Sequence, residues 1–355
     1  MEFKELVKKS VGFISLGCDK NRVDLEKIIY TLSAVGFTVT NQPDLANIII
    51  INTCSFIEKA RMESINNILE MASYKGGNCE KVLVTGCLPN LNYDELKNTI
   101  PEVDAFIKTS DNANIIKIIA DMYGVTIPSD FSLNTKELNR VLTNEKHYAY
   151  LKISEGCNNL CSYCTIPLIR GRYKSIPLEE LVWEAKNLVK SGVKEIILVA
   201  QDVTNYGIDI YKKLSLVKLL QELSKIENLK WIRLLYCYPE LITDELITEI
   251  KTNEKICKYL DIPLQHVDND ILKLMNRKSS YESITNLITK LKAEIPEIVI
   301  RSTFIVGFPG ETKKQFNLLI NFLKEYKLNN VGFFNYSREA NTKAADFKKQ
   351  VPGLI

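Results

Sequence analysis

Histidine is almost missing: the 355-residue chain has two, His147 and His266. A zinc site built on imidazoles is thereby excluded. A Ser-His-Asp triad would need one of these two, and neither is accompanied by a Gly-x-Ser-x-Gly elbow. Long apolar runs are lacking as well. Stretches such as Ile48–Ile51 fall far short of the roughly 20 apolar residues of a membrane-spanning helix. Met1 to Ser10 is charged and has no apolar signal core. These absences predict a cytoplasmic protein with no membrane partner. Excess charge is also lacking. The net value is +3, from 46 basic and 43 acidic side chains, so nucleic acid is neither required nor excluded as a partner. There is no short repeat and no low-complexity segment. A chain of this length suits two domains of ordinary size.

What the chain does have is nine cysteines, which in a reducing compartment point to metal or redox chemistry and not to disulfides. Three of them lie within eight residues, Cys157, Cys161 and Cys164, in the run Ser154-Glu155-Gly156-Cys157-Asn158-Asn159-Leu160-Cys161-Ser162-Tyr163-Cys164. The spacing is C-x3-C-x2-C, and no fourth cysteine follows nearby. A structural zinc site closes with four ligands, and ordinary cubane clusters use four cysteines. One short loop wrapping three thiolates around an iron–sulfur cube would leave the fourth iron open to a ligand. The alternative is three unrelated core or loop thiols.

In the N-terminal half, Val11–Leu16, Asn47–Asn52 and Lys81–Thr85 read as buried strands. Each is followed by a helical pattern: Arg22–Val35, Ile57–Tyr74 and Tyr93–Thr99. The alternation predicts a parallel sheet covered on both faces. Cys18, Cys54 and Cys87 each come directly after one of these strands. In a parallel sheet all three strand ends share one edge, where ligands of open α/β sheets bind. Three thiolates meeting in one pocket, or three buried core thiols, are both consistent with that placement. Gly124–Lys146 is polar, lacks a clear period and reads as a linker. The expected division is 1–123, a linker over 124–146, and a second domain over 147–355.

From Tyr148 onward six apolar runs alternate with amphipathic stretches: Tyr148–Ile153, Glu195–Ala200, Trp231–Leu235, Tyr259–Ile262, Val299–Val306 and Val331–Phe334. The fold class is therefore α/β, an N-terminal parallel sheet domain followed by an open, partial (β/α)6 barrel. Barrel enzymes carry their sites on the loops after the strands, and the distinctive residues fall there. They are the cluster cysteines, Gln201-Asp202, Tyr236 and Tyr238, Gln265-His266, and Gly307-Phe308-Pro309-Gly310-Glu311. Gln201 and Asp202 read either as a turn pair or as ligand-binding groups. Gln265 and His266 read either as rim residues or as part of a site. Arg301 lies in an apolar strand, so its guanidinium needs a partner, a ligand carboxylate or a structural acid. The Gly307 loop permits close backbone approach at a helix start. Arg170, Arg172 and Lys174 form a basic run, either a solvated face or a counterweight to anionic groups.

The C-x3-C-x2-C run resembles the cluster loop of radical S-adenosylmethionine enzymes. The segments Ser15-Leu16-Gly17-Cys18-Asp19-Lys20-Asn21-Arg22-Val23-Asp24, Asn52-Thr53-Cys54-Ser55-Phe56-Ile57 and Thr85-Gly86-Cys87-Leu88 resemble the N-terminal domain of the methylthiotransferases within that superfamily. Pro263-Leu264-Gln265-His266, Ile166-Pro167-Leu168-Ile169-Arg170-Gly171 and the stretch from Arg301 to Thr312 are most similar to the branch acting on ribosomal small-subunit protein twelve. The resemblance implies two 4Fe–4S clusters, one on Cys157, Cys161 and Cys164 and a second on Cys18, Cys54 and Cys87. The second handles the sulfur to be inserted. It implies S-adenosylmethionine as cofactor, chelated at the open iron and cleaved by one electron to a 5′-deoxyadenosyl radical. Gln201, Asp202, Gln265, Arg301 and Gly307 are the candidates to contact that cofactor. No catalytic side chain is singled out. The implied reaction is insertion of a methylthio group at the β-carbon of an aspartate, with a reductant such as flavodoxin or ferredoxin as partner. A tRNA methylthiotransferase is the nearest alternative, and an iron–sulfur binding or electron-transfer protein without turnover is the other. The family ends in a small TRAM β-barrel, which a chain stopping at Ile355 is expected to lack.

Overall fold

In the computed structural model, which describes residues 1–131 and 140–352, the chain divides into two units. The first comprises Met1–Glu145 and Leu168–Arg170, the second Lys146–Pro167 and Gly171–Ile355.

The first unit is organised by its isoleucines. Ile48–Ile51 is buried over its whole length, which requires a strand covered on both faces. Five strands pair in parallel, β1 Ser10–Ser15, β2 Thr38–Thr40, β3 Ile48–Thr53, β4 Lys81–Gly86 and β5 Ala105–Phe106, in the order β2-β1-β3-β4-β5. The helices are α1 Phe3–Leu6, α2 Asp19–Val35, α3 Glu58–Ala72, α4 Cys87–Thr99 and α5 Ile115–Met122. The alternation of a strand decides which helix each isoleucine meets. Ile48 and Ile50 pack with Ile28 and Leu32 of α2 and Ile115 and Ile119 of α5. Ile49 and Ile51 pack with Ile68 of α3 and Leu88 and Leu96 of α4. Each buried isoleucine contributes about 1.5–3 kcal/mol.

The second unit has six parallel strands whose sheet order follows chain order: Tyr148–Lys152, Glu195–Val199, Trp231–Leu234, Ile256–Asp261, Val299–Val306 and Asn330–Asn335. The first and last lie at its two edges, as in an open barrel. Intervening helices bury one stripe each, for example Leu219 and Leu223, Ile284 and Ile288, and Leu319 and Phe322. Their starts are chemically marked. Thr243 accepts the Leu246 N–H at 3.2 Å. Ser280 and Ser283 form a reciprocal capping box.

Several boundaries differ from those read in the sequence. Strands β2 and β5 are three and two residues long, too short to show a period. Helix α4 begins at Cys87 instead of Tyr93, and a non-helical Asn92 inside it breaks the pattern that would have revealed its first turn. The fourth barrel strand begins at Ile256, with Lys258 interrupting its apolar run. Of the expected linker, residues 132–139 lie outside the described residues. Its flanks belong to the first unit: Val125 joins the core, and Arg140 is buried 3.6 Å from Glu26.

Candidate functional site

Strands β1, β3 and β4 are neighbours in the sheet, so the loops that follow them leave one edge side by side. They carry Cys18, Cys54 and Cys87. Winding reverses between β1 and β3, the crevice where open parallel sheets bind ligands. Two glycines make the close approach possible. Gly17 has φ +95, and a Cβ there would stand 3.0 Å from the Cβ of Cys54. Gly86 has φ +97, and a Cβ there would stand 2.4 Å from the Thr53 carbonyl oxygen. The amide of Asn21, fully buried, ties the three loops together. Its Nδ2 donates to the carbonyls of Leu16 at 3.2 Å and Thr53 at 2.9 Å. Its Oδ1 accepts from the Cys87 thiol at 3.6 Å. The Ser64 hydroxyl holds Cys54 from α3, accepting its N–H at 3.0 Å and donating to its carbonyl at 2.7 Å.

The three thiols act on one another electrostatically. Burial, opposed by the Phe56 N–H and reinforced by Cys87 and Cys18, pushes the Cys54 thiol up to about 11. Burial also raises Cys87, against the opposing charge of Arg170. Arg170 belongs to this first unit and is no solvated cation. Its Nη1 pairs with Asp24 at 2.9 Å, and its Nη2 donates to the Cys87 sulfur at 3.4 Å and to Asn21 Oδ1. Arg172 and Lys174 of the same basic run are exposed, as a solvated face requires.

In the second unit Cys157, Cys161 and Cys164 sit on the loop after the first barrel strand. Gly156, at φ +74, enters it so closely that a Cβ would stand 2.2 Å from the Arg172 carbonyl oxygen. The loop is fastened at several points. Tyr173 N–H donates to Asn158 Oδ1 at 3.1 Å, and Ser162 donates through N–H and hydroxyl to the carbonyls of Met275 and Leu274. Asn276 donates to the Leu160 carbonyl at 2.8 Å. Backbone N–H groups of Asn159 and Ile166 point at the sulfurs of Cys157 and Cys164, each at 3.4 Å. The Tyr238 hydroxyl lies 3.8 Å from the Cys161 sulfur. Burial, opposed by these N–H groups, pushes Cys157 up to about 11 and Cys164 up to about 12.

Among the described residues no three His, Cys, Asp or Glu side chains are placed to hold a single metal ion. A four-iron cube is larger than an ion and needs its ligands farther apart. Both triads offer thiols alone, no fourth cysteine joins either triad among the described residues, and N–H groups already point at the sulfurs. These features fit 4Fe–4S clusters.

The five candidate cofactor contacts separate. Gln201 donates through Nε2 to Glu155 at 2.8 Å, while its buried Oε1 has no partner among the described residues. An acceptor left open there suits an incoming N–H donor. Asp202 is buried and fully engaged, accepting from the Thr204 N–H and hydroxyl and from Asn159 Nδ2 at 3.0 Å. It fastens the cysteine loop, as a turn residue does. Gln265, at φ +71, pairs by backbone between Thr303 and Ile305. His266 is fully buried, its Nδ1 accepting the Asp268 N–H at 2.9 Å. Arg301 is not the buried guanidinium its apolar neighbours imply: it is about half exposed, with Asp261 at 3.5 Å as its acid. Gly307, at φ +74, faces open space. However, its N–H and that of Phe308 already donate to Glu311 at 2.6 and 3.1 Å, so the turn before the helix at Lys313 is satisfied from within. Asn21, Glu155 and Arg277 are the site-lining residues that sequence reasoning missed. None belongs to a motif whose chemistry can be read in isolation.

Residues 151–323 match the model of the radical SAM superfamily, and residues 10–108 match the uncharacterized protein family UPF0004. The ribosomal protein uS12 methylthiotransferase RimO of Clostridium novyi is 52% identical over 347 residues, covering 96% of this chain and 78% of that protein. Its counterpart from Clostridium botulinum is 51% identical, covering 99% and 80%. The chain belongs to this methylthiotransferase family. Membership makes it a radical S-adenosylmethionine enzyme, with that cofactor and 4Fe–4S clusters as its equipment. In fold it resembles the radical S-adenosylmethionine methyltransferase TsrM from Kitasatospora setae, solved with cobalamin and a [4Fe-4S] cluster (TM-score 0.67, 13% identity, 95% of this chain and 74% of that one). The cobalamin-dependent enzyme OxsB is also similar (TM-score 0.63, 11% identity, 98% and 56%). Among the described residues no helix is long and apolar enough to cross a membrane.

Proposed function

We propose that this chain methylthiolates ribosomal protein uS12 at the β-carbon of an aspartate. Cys157, Cys161 and Cys164 hold the cluster that binds S-adenosylmethionine, and Cys18, Cys54 and Cys87 hold the cluster that handles sulfur. The observation that carries this reading is the pair of thiol triads, each on its own loop set and each one ligand short of a closed cluster. Relatives named for uS12, at about half identity over nearly the whole chain, support the substrate. The bound groups supply one-electron cleavage of the sulfonium and hydrogen abstraction from carbon. The β-carbon of an aspartate offers no acidic proton to an ordinary base, so radical chemistry suits it. The protein's own part is to hold and orient. Gln201 Oε1 would accept an N–H of the bound cofactor, Glu155 fixes the Gln201 amide, and Asp202 keeps the cysteine loop in place. A low-potential protein such as flavodoxin or ferredoxin supplies the electron, in the cytoplasm and with no need of nucleic acid. The two domains correspond to the two units, with the described flanks of the 124–145 segment part of the first.

Mass spectrometry of uS12 and of bulk tRNA, from cells with and without this gene, tests the assignment. A methylthio mass gained on one uS12 aspartate is expected. Modification confined to tRNA would overturn the substrate. Reconstituted protein should hold about eight irons, as two four-iron clusters. Replacing Cys18, Cys54 and Cys87 with Ala should leave about four and retain cleavage of S-adenosylmethionine to 5′-deoxyadenosine.

A further inference from the structure

Arg277 follows the helix Asn269–Leu274 in the second unit. Only 7% of it is exposed. Its contacts are sparse for a buried charge. Nη2 donates to the Pro263 carbonyl at 2.8 Å. The guanidinium carbon lies 3.9 Å over the centroid of the Tyr238 ring, and Nε has no hydrogen-bond partner among the described residues. No described carboxylate stands within the 4.0 Å of an ion pair. Glu240 acts on it from beyond contact; its Oε1 accepts from the Ser279 hydroxyl, and its buried Oε2 has no partner among the described residues. A guanidinium taken from water without a counter-ion is costly, so this cation needs negative charge from another source. The cysteine loop is the stronger source, since Cys161 acts on Arg277 ahead of Glu240. Arg277 acts electrostatically on Cys157 and Cys164, and Cys161 acts on Arg277. Tyr238 connects the two, its ring under the guanidinium and its hydroxyl beside the Cys161 sulfur.

We propose that Arg277, seated on the Tyr238 ring, is the built-in counter-charge of the Cys157, Cys161 and Cys164 site and raises the reduction potential of the cluster held there. The proposal rests on the reading that these three cysteines hold a 4Fe–4S cluster. Reduction adds one electron, from an external low-potential donor, to a site that is already anionic. A fixed positive charge in a medium of low dielectric makes that addition easier. Arg277 is thus a positioning residue, acting through the field it places on the cluster.

The test uses the full chain with Cys18, Cys54 and Cys87 replaced by Ala, so that one cluster remains. Iron content and the electron paramagnetic resonance signal of this parent check the underlying reading by themselves. If the parent holds no four-iron cluster, that reading fails before Arg277 is examined. Potentiometric titration then compares the parent with Arg277→Met, Arg277→Gln and Arg277→Lys. In the neutral variants, reduction should be at least tenfold less favourable, a fall of about 59 mV or more for one electron. Arg277→Lys should recover more than half of that fall. Iron lost from both neutral variants and kept in Arg277→Lys would also support a counter-charge. Unchanged potential in a neutral variant would overturn the proposal. So would a fall in Arg277→Lys as large as in Arg277→Met, or loss of iron from all three, because shape and not charge would then be what matters.

Discussion

Gly86→Ala is the substitution whose cost follows most directly from the geometry. Gly86 has φ +97 and ψ −150, a region essentially reserved for glycine, where a side chain costs on the order of 1–3 kcal/mol. The added Cβ would also stand 2.4 Å from the Thr53 carbonyl oxygen and 2.6 Å from the Thr53 nitrogen. Those are backbone atoms of β3, the central buried strand, in register with β4 at Thr53 and Gly86. They cannot swing aside as a flexible side chain would. The expected loss is therefore about 3 kcal/mol or more, over a hundredfold in the folded-to-unfolded ratio. Both tryptophans, Trp183 and Trp231, lie in the second unit. Denaturant unfolding followed by tryptophan fluorescence thus reports that unit, while far-ultraviolet circular dichroism reports both. The substitution should lower the dichroism midpoint with little change in fluorescence. It should also reduce reconstituted iron from about eight toward four, because Cys87 follows directly. An unchanged dichroism curve with full iron would refute the reasoning.

Two further substitutions probe other parts of the architecture. Asp202→Ala removes the acceptor for Thr204 and Asn159 and should loosen the second cysteine loop by about 2–4 kcal/mol. Iron release to a chelator should speed up at least tenfold, and an unchanged rate would count against this fastening role. Asp104 concerns acid stability. Burial works against its carboxylate. Hydrogen bonds from Lys75, the Val82 N–H and Lys81 outweigh that and hold it below the usual carboxylate range, with Lys75 at 2.7 Å and Lys81 at 3.0 Å. An acid with a lowered folded value contributes stability above its unfolded value of about 3.9. That contribution disappears as pH falls through the lower, folded value. Asp104→Asn should accordingly flatten the acid limb of first-unit stability below about pH 4, and a variant that loses stability as steeply as the parent would count against it.

The elements that place the cysteines were legible in the sequence because β-branched runs such as Ile48–Ile51 mark strands and the cysteines follow those strands directly. Strand order was not legible. Nothing local to Cys18, Cys54 or Cys87 says that β1, β3 and β4 are adjacent, and their convergence depends on it. Asn21 and Arg170 illustrate a second limit: a polar residue on a helix or in a basic run reads as solvent-facing until tertiary neighbours are known. Arg301 has the structural acid that was one of its two expected partners, Asp261 at 3.5 Å, but on an exposed face that parity and not composition marks. It shares its strand face with Val299 and Thr303, the less buried side of Val299–Val306. The Gly307 loop shows the reverse case. Its self-capping by Glu311 was available in the spacing, since a carboxylate four residues after a tight turn can fold back on that turn's N–H groups.

The order β2-β1-β3-β4-β5 has an evolutionary consequence. A crevice at the reversal between β1 and β3 is a property of how the chain is wound, and it exists whatever side chains line it. A thiol triad there needs no backbone beyond that winding, only cysteines at three strand exits that converge, with glycines where those exits crowd. Descendants of such a scaffold could exchange one cargo for another by point substitution at the same three exits. An insertion in any one of these loops should disturb the other two, since the single amide of Asn21 spans all three.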